Sequence, residues 1–174
     1  MNKNITLTQA TYADIDLIRA LGIETFEETF APYNTRSDMD QYLGEAFSYE
    51  KIKSEIEEPD TQYWIAHCDG EPAAYSRWCF GKQEAGMDAR APMEFHRLYV
   101  LARFKGKGIG HTILTAAIKA ARDRNCDRIW LGVWEHNAPA ISFYQKFGFE
   151  RFGEHAFMLG QDLQTDWVMK KELI

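Results

Sequence analysis

The sequence predicts one α+β domain, a three-layer arrangement in which helices flank a mixed, mostly antiparallel sheet of about seven strands. Strand-like segments and segments with apolar residues at helical spacing are interspersed along the 174 residues. Asp69-Gly70 separates two of the strand-like segments, as in a tight hairpin. A glycine-rich turn at 106–110 precedes a long amphipathic segment. Because no repeat, linker or low-complexity tract interrupts the chain, we expect residues 1–174 to share one core.

Strands are predicted where β-branched and aromatic residues cluster or alternate with polar ones. These segments are 5–10, 61–68, 71–80, 93–101, 128–134, 149–159 and 163–173. The polar, interrupted stretch at 81–92 is predicted to be a loop or a distorted hairpin connection. The last two strands are expected to pair antiparallel.

Helices are predicted where apolar residues recur every three or four positions. These segments are 15–30, 38–47, 49–58, 106–124 and 137–147. Thr11 followed by Asp14 resembles a capping box before the first helix. Ser37 is predicted to begin the second helix and Ser48 to cap the third. Gly148 suits the left-handed position that follows a helix C-terminus.

Composition excludes several classes of protein. The formal net charge of −6 argues against a nucleic-acid-binding protein, which needs a basic surface. No segment approaches the roughly 20 apolar residues that cross a bilayer, and the N-terminus lacks the apolar stretch of a signal peptide. Three cysteines without CxxC spacing and five scattered histidines indicate neither a disulfide framework nor a metal site. A cytoplasmic protein without membrane or nucleic-acid partners is therefore expected, and we expect it to be a monomer or a homodimer.

Acidic residues are concentrated in the first third of the chain. Residues 1–60 contain 13 Asp and Glu against 5 Lys and Arg, whereas residues 61–174 contain 13 against 15. Glu24 and Glu28 share a helix face, and Glu27 neighbours Glu24. These carboxylates are candidates to bind a cationic ligand, together with Tyr33. The alternative is a solvated acidic face that keeps the protein soluble.

The segment from Arg103 to Gly110 has the features of a phosphate-binding turn. Three glycines at alternate positions leave the backbone bare where the chain turns into a helix. The first N–H groups of that helix have no internal partner and suit a pyrophosphate, with Lys105 and Lys107 adding positive charge. An ordinary glycine-rich turn is the alternative. The string is neither a GxxxxGK[ST] P-loop nor a GxGxxG dinucleotide fingerprint.

Two motifs resemble the GNAT superfamily of acetyl-CoA-dependent N-acetyltransferases. Arg103-x-x-Gly106-x-Gly108 is similar to its Q/R-x-x-G-x-G/A signature, and residues 137–149, NAPAISFYQKFGF, are similar to its N-x-x-A-x-x-F-Y-x-x-x-G-F block. The upstream segments TFEETFAPYNT and DMDQYLGEAFS resemble the branch of bacterial spermidine/spermine N-acetyltransferases. Ala74 stands where many members carry glycine before tyrosine, so the acceptor amine stays open.

The resemblance implies a set of residues that bind acetyl-CoA. The pantetheine arm would hydrogen-bond the backbone of the fourth strand, beside a splay between strands four and five. The implied cofactor-binding residues are Leu98, Tyr99, Val100, Arg103, Lys105, Gly106, Lys107, Gly108, Ile109, Gly110, His111, Asn137 and Lys146.

The resemblance also implies two catalytic residues. Tyr144 would act as general acid, since a phenol is protonated at neutral pH and can donate to the departing sulfur. Glu94, six residues before Val100, would act as base toward the acceptor amine. A solvated glutamate at a strand edge is the alternative, and Glu24, Glu27 and Glu28 are the rival candidates for the base.

The predicted activity is direct acetyl transfer from acetyl-CoA to a primary amine, with a polyamine such as spermidine or spermine as the leading acceptor. A peptide or protein amine, another small amine, and a non-catalytic acyl-CoA-binding sensor remain as alternatives.

Overall fold

The structure is a computed structural model that describes residues 4–173. The described chain forms seven strands: β1 (Ile5–Gln9), β2 (Thr61–Cys68), β3 (Glu71–Phe80), β4 (Pro92–Val100), β5 (Arg128–Trp134), β6 (Glu150–Leu159) and β7 (Asp162–Glu172). Its α-helices are α1 (Ile15–Phe30), α2 (Arg36–Ala46), α3 (Tyr49–Glu57), α4 (Ile109–Asp123) and α5 (Ala138–Lys146).

The seven strands form one sheet in the order β1-β2-β3-β4-β5-β7-β6. Every neighbouring pair is antiparallel except β4 and β5, which run parallel. The prediction of a mixed, mostly antiparallel sheet is confirmed. The hairpin at Asp69-Gly70 is confirmed as well, since β2 and β3 pair directly across these two residues.

Helix α1 and helix α4 cover opposite faces of the sheet. Phe26 of α1 packs against Tyr99 of β4, with ring centroids 6.2 Å apart. A Cβ added to Gly110 of α4 would lie 3.9 Å from Leu98, the preceding residue on the same strand. Because successive side chains of a strand point to opposite faces, the two helices lie on the two sides of β4.

The helix caps agree with the sequence at two positions and differ at a third. Thr11 and Asp14 form the predicted capping box, there around a short 3₁₀ turn that leads into α1, and the Ser48 hydroxyl caps α3. The prediction that Ser37 begins the second helix was wrong. Thr35 is the N-cap and accepts a hydrogen bond from the Asp38 N–H at 3.1 Å. Thr35 and Ser37 both carry hydroxyl groups, but Ser37 lies within the helix, whereas Thr35 has the extended backbone that a cap requires.

Helix α4 begins three residues later than the pattern predicts. Gly106 and Gly108 have φ angles of +75° and +84°, in the left-handed region that a right-handed helix does not use. The turn therefore extends to Gly108, and the helix starts at Ile109.

None of the described helices is both long enough and apolar enough to span a bilayer.

Candidate active site

The site is built around a gap between β4 and β5. The two strands pair only at their beginnings, where Pro92, Met93 and Glu94 face residues 128–130. Beyond that point β4 stays paired with β3 and β5 with β7, so the facing edges of β4 and β5 separate. The predicted splay between the fourth and fifth strands is confirmed. The splay leaves backbone N–H and C=O groups along one edge of β4 without a partner strand. An extended ligand can form hydrogen bonds with such an edge.

A cavity of about 530 Å³ lies between β4, the glycine turn and α5. We call it the loop cavity. Most of the residues predicted to bind the cofactor lie in its wall: Leu98, Tyr99, Val100, Lys105, Gly106, Gly108, Ile109, Gly110, His111 and Asn137. Sequence reasoning missed Thr29, Phe104, Pro139, Ala140 and Phe143, which line it too. Pro139, Ala140 and Phe143 belong to the quoted 137–149 block, so position in that block was an available signal.

The glycine turn leaves room for a phosphate group. A Cβ built at Gly106 or Gly108 would meet no atom within 4 Å, so the backbone is bare toward open space. The first N–H groups of α4, a helix of 15 residues, lie directly beyond this turn and have no intrahelical partners. The positive end of the helix dipole adds to their attraction for an anion. The turn therefore fits the diphosphate of coenzyme A.

Three of the predicted cationic residues do not reach the wall of the loop cavity. Arg103 lies over the Phe104 ring and pairs with Glu24, at 2.7 Å between Nη1 and Oε1. Lys107 also lies over Phe104, with Nζ 4.5 Å from the ring centroid. Lys146 is exposed near the end of α5, away from the wall. A role of any of these three side chains toward the diphosphate therefore depends on side-chain movement.

A second cavity of about 190 Å³ lies on the α1 side of the splay, and we call it the aromatic cavity. Its apolar wall consists largely of aromatic rings: Phe26, Phe30, Tyr42, Phe47, Trp134 and Phe157. It shares five wall residues with the loop cavity: Leu98, Tyr99, Asn137, Ala140 and Tyr144. The two cavities thus meet in the splay, and a ligand in one can contact a ligand in the other.

Tyr144 stands where the two cavities meet. Its ring packs against Phe143 and Phe149, with centroids 5.3 Å and 5.8 Å away, and only 8% of the residue is exposed. Burial raises the pKa of the Tyr144 phenol above its ordinary value of 10. The hydroxyl is therefore protonated at neutral pH and can donate a hydrogen bond or a proton.

Glu94 lines the aromatic cavity at the last paired position of β4 and β5. The residue is 6% exposed, and its Oε2 lies 2.9 Å from Nζ of Lys82. The structure thus brings both predicted catalytic residues into one cavity wall.

The glutamates of α1 lie outside both cavity walls. Glu24 pairs with Arg103, and Glu28 accepts a hydrogen bond from the Ala102 N–H at 2.8 Å. Glu27 Oε1 is 3.9 Å from Nη1 of Arg36. These contacts hold α1 against the glycine turn and α2, and they give no support to the predicted role in acceptor binding.

Tyr33 is 67% exposed and packs edge-on against Trp134, with centroids 5.1 Å apart. It is outside the cavity wall but touches a residue that forms it.

A buried charge network that sequence reasoning missed supports the floor of the aromatic cavity. Glu55 of α3 is 2% exposed, and its Oε2 accepts hydrogen bonds from the Tyr63 hydroxyl and, at 3.1 Å, from Arg97. Arg77 Nη1 lies 3.5 Å from the other carboxylate oxygen. Burial opposes ionisation of Glu55, but Arg97 and Arg77 outweigh it and hold its pKa below the ordinary value of 4.5. Arg97 lines the cavity, so this network fixes part of the wall.

Replacing Glu55 with glutamine is expected to destabilise the protein by about 3–5 kcal/mol, because the buried Arg97 loses its charged partner and the buried Arg77 keeps only Glu58. Urea unfolding at pH 7 measures this, with the exposed Glu50→Gln on the same helix as control. Since the Glu55 pKa is lower in the folded state, its contribution is present above pH 4.5 and is lost as the pH falls below it. A loss under about 1 kcal/mol would contradict the assignment.

A histidine and two carboxylates that the sequence did not single out lie at the β6–β7 side of the aromatic cavity. His155 and Asp166 are directly opposite each other on β6 and β7, and both line the cavity. Burial raises the pKa of Asp166 to about 6, against an opposing effect of His155. Glu84, in the loop between β3 and β4, contacts the other side of the imidazole. The β6–β7 register brings His155 and Asp166 together, and Glu84 reaches them from a distant loop, so no local sequence signal could have found this group.

Among residues 4–173, no three His, Cys, Asp or Glu side chains are grouped in a way that could hold a metal ion.

Residues 23–149 match the family model described as the acetyltransferase (GNAT) family. The match contains the splay, the glycine turn and Tyr144. The chain belongs to the GNAT acetyltransferase family. It is an N-acetyltransferase, and acetyl-CoA is its acetyl donor. The bare glycine turn and the free edge of β4 meet the needs of a diphosphate and a pantetheine arm, so the residues present fit this GNAT cofactor.

Individual GNAT relatives agree with the family assignment. An uncharacterised N-acetyltransferase of the pepI 3′ region of Lactobacillus delbrueckii subsp. lactis is 33% identical over 98% of both chains. A spermine/spermidine N(1)-acetyltransferase of Bacillus subtilis is 40% identical, over 44% of this chain and 47% of the relative. In fold, the chain resembles the PaiA N-acetyltransferase of Thermoplasma acidophilum, crystallised with coenzyme A, at a TM-score of 0.79 and 22% identity over 97% and 99% of the chains.

Proposed function

We propose that this GNAT enzyme acetylates a primary amine of a polyamine, such as spermidine or spermine, by direct attack of the amine on acetyl-CoA. The observation that carries the proposal is the meeting of two cavities at Tyr144. One cavity fits the acetyl donor, and the other leaves space for an acceptor beside the same hydroxyl. Both substrates can then be bound together, and no covalent enzyme intermediate is required.

The donor is held mainly by backbone groups. N–H groups at the start of α4 hold the diphosphate, with the bare turn at Gly106 and Gly108 allowing close approach. Unpaired backbone groups of Leu98, Tyr99 and Val100 hold the pantetheine arm. The bound donor supplies an activated thioester.

Proton transfer is assigned to two residues in the wall. Tyr144 donates its phenolic proton to the departing sulfur, and burial keeps that proton on the phenol. Glu94 accepts a proton from the amine nitrogen, since it is the buried carboxylate at the closed end of the splay. Lys82, beside Glu94, keeps an opposite charge next to the carboxylate.

Two observations support a cationic acceptor. The aromatic cavity contains the carboxyl groups of Glu94 and Asp166 among aromatic rings, which suits an alkylammonium chain. The partial similarity to a spermine/spermidine N(1)-acetyltransferase of Bacillus subtilis points the same way.

The test measures thiol release from acetyl-CoA across spermidine, spermine, monoamines of similar length, an N-terminal peptide and a lysine peptide. We expect spermidine or spermine to give the highest kcat/KM, with a preference over monoamines that weakens as salt is added, because charge attraction is screened over about 8–10 Å. Preference for a peptide would replace the polyamine assignment. Coenzyme A binding without acetylation of any amine would favour an acyl-CoA sensor.

A further inference from the structure

His155 lies between two carboxylates at the wall of the aromatic cavity. Its Nδ1 is 3.4 Å from Oε1 of Glu84, and its Nε2 is 3.9 Å from Oδ2 of Asp166. The shorter contact assigns the ring proton to Nδ1, which donates to Glu84. The lone pair of Nε2 then stays available, since 3.9 Å is too long for a direct hydrogen bond from a carboxyl group. A carboxylate that orients an imidazole in this way is the usual support of a histidine base.

Strand β5 has a glycine at the point where this ring approaches. A Cβ at Gly132 would lie 3.1 Å from His155 Nε2 and 3.4 Å from Asp166 Oδ2. The φ of Gly132 is not in the left-handed region, so its backbone does not require glycine. The absence of a side chain instead allows the imidazole to lie against the strand that borders the splay. Gly132, His155 and Asp166 all line the same cavity as Tyr144 and Glu94.

The chemistry of the reaction requires more than one proton acceptor. An alkylammonium ion loses one proton before its nitrogen attacks the acetyl carbon, because its ordinary pKa is about 10.4. The same nitrogen loses a second proton as the amide forms. Only one proton is needed by the departing thiolate.

We propose that Nε2 of His155, oriented by Glu84, accepts the first of these protons from the bound acceptor; this rests on the proposed amine acetylation. The neutral amine then forms the carbon–nitrogen bond, the carbon–sulfur bond breaks, and Glu94 accepts the second nitrogen proton. Tyr144 donates to the sulfur and regains a proton from the site. One proton per turnover is released to water.

Charged groups face this histidine from several elements. Glu84 lies in the loop after β3, and Asp166 lies on β7. The charge of Glu135, which follows β5, raises the pKa of Asp166. The charge of Asp166 also contributes to raising the pKa values of the Tyr42 phenol on α2 and the Tyr99 phenol on β4. Burial raises the pKa of Asp166 to about 6, so above that pH its carboxylate places a negative charge 3.9 Å from Nε2 of the ring.

The first test replaces His155 with glutamine and measures kcat/KM for the preferred amine between pH 6 and 10. We expect a loss of roughly 10²–10³-fold at pH 7, within the usual range of general base catalysis, that shrinks as solution pH deprotonates the amine. Added imidazole should restore part of the activity of His155→Ala. His67→Gln, on β2 and outside both cavity walls, is the matched control.

The second test moves the ring without removing it. Gly132→Ala places a methyl group against His155 Nε2 and is expected to lower kcat/KM at least 10-fold. Gly153→Ala on β6, where a Cβ meets nothing within 4 Å, should leave kcat/KM unchanged.

Activity of His155→Gln within twofold of wild type, or a loss independent of pH and without imidazole rescue, would overturn the assignment. A wild-type enzyme that acetylates no amine would instead refute the proposed function itself.

Discussion

Replacement of Gly108 with valine is expected to weaken acetyl-CoA binding by roughly 100-fold or more. Valine is poorly tolerated at a φ of +84°, and its branched side chain would project into the open space beside the first turn of α4. Loss of two hydrogen bonds to a charged diphosphate, each worth about 1.5–3 kcal/mol, corresponds to at least that change in affinity. Isothermal titration calorimetry with coenzyme A measures it.

Gly70→Val is the matched control for backbone strain. Gly70 has a φ of +87° and also has no atom within 4 Å of an added Cβ, but it lies in the β2–β3 hairpin. We expect this variant to lose stability and to keep its affinity for coenzyme A. Coenzyme A at 100 times its dissociation constant should raise the free energy of unfolding of the wild type by about 2.7 kcal/mol. Equal affinity of folded Gly108→Val and wild type would disprove the diphosphate assignment.

Replacement of Tyr144 with phenylalanine is expected to lower kcat by roughly 10²–10⁴-fold, since the departing sulfur loses its proton donor. Coenzyme A affinity should change little, because phenylalanine keeps the packing against Phe143 and Phe149. The raised pKa of the phenol predicts that the wild-type rate shows no loss from tyrosine ionisation up to pH 10. Steady-state kinetics with a direct thiol readout separates these effects.

Tyr49→Phe serves as the control for that experiment. Tyr49 is 44% exposed at the start of α3, outside both cavity walls, so its hydroxyl should not affect turnover. If Tyr144→Phe turns over within twofold of wild type, another group or water protonates the sulfur, and the general-acid assignment is wrong.

Local patterns determined which parts of the site were predictable from the sequence. The glycines at 106 and 108 mark a turn that needs positive φ, and the structure has that conformation at both positions. The predicted helix nevertheless began three residues too early, at Gly106 instead of Ile109, because apolar periodicity does not reveal a left-handed backbone conformation. Most of the residues predicted from the quoted motifs line the loop cavity, whereas Arg103, Lys107 and Lys146 do not.

Long-range pairing determined what was missed. Helical spacing placed Glu24 and Glu28 on one helix face, but it could not show that their partners, Arg103 and Ala102, lie 79 and 74 residues away. His155 and Asp166 meet only because β6 and β7 pair in one particular register, and Glu84 joins them from a loop 71 residues before His155. A sequence carries no local sign of such contacts.

The central claim is that donor and acceptor are bound together in two cavities that meet at Tyr144. Initial velocities measured over a grid of acetyl-CoA and acceptor concentrations test it most directly. Direct attack in a ternary complex predicts double-reciprocal lines that intersect, and an unmodified enzyme mass after incubation with acetyl-CoA alone. Parallel lines, together with an enzyme that gains one acetyl group before the amine is added, would contradict the account.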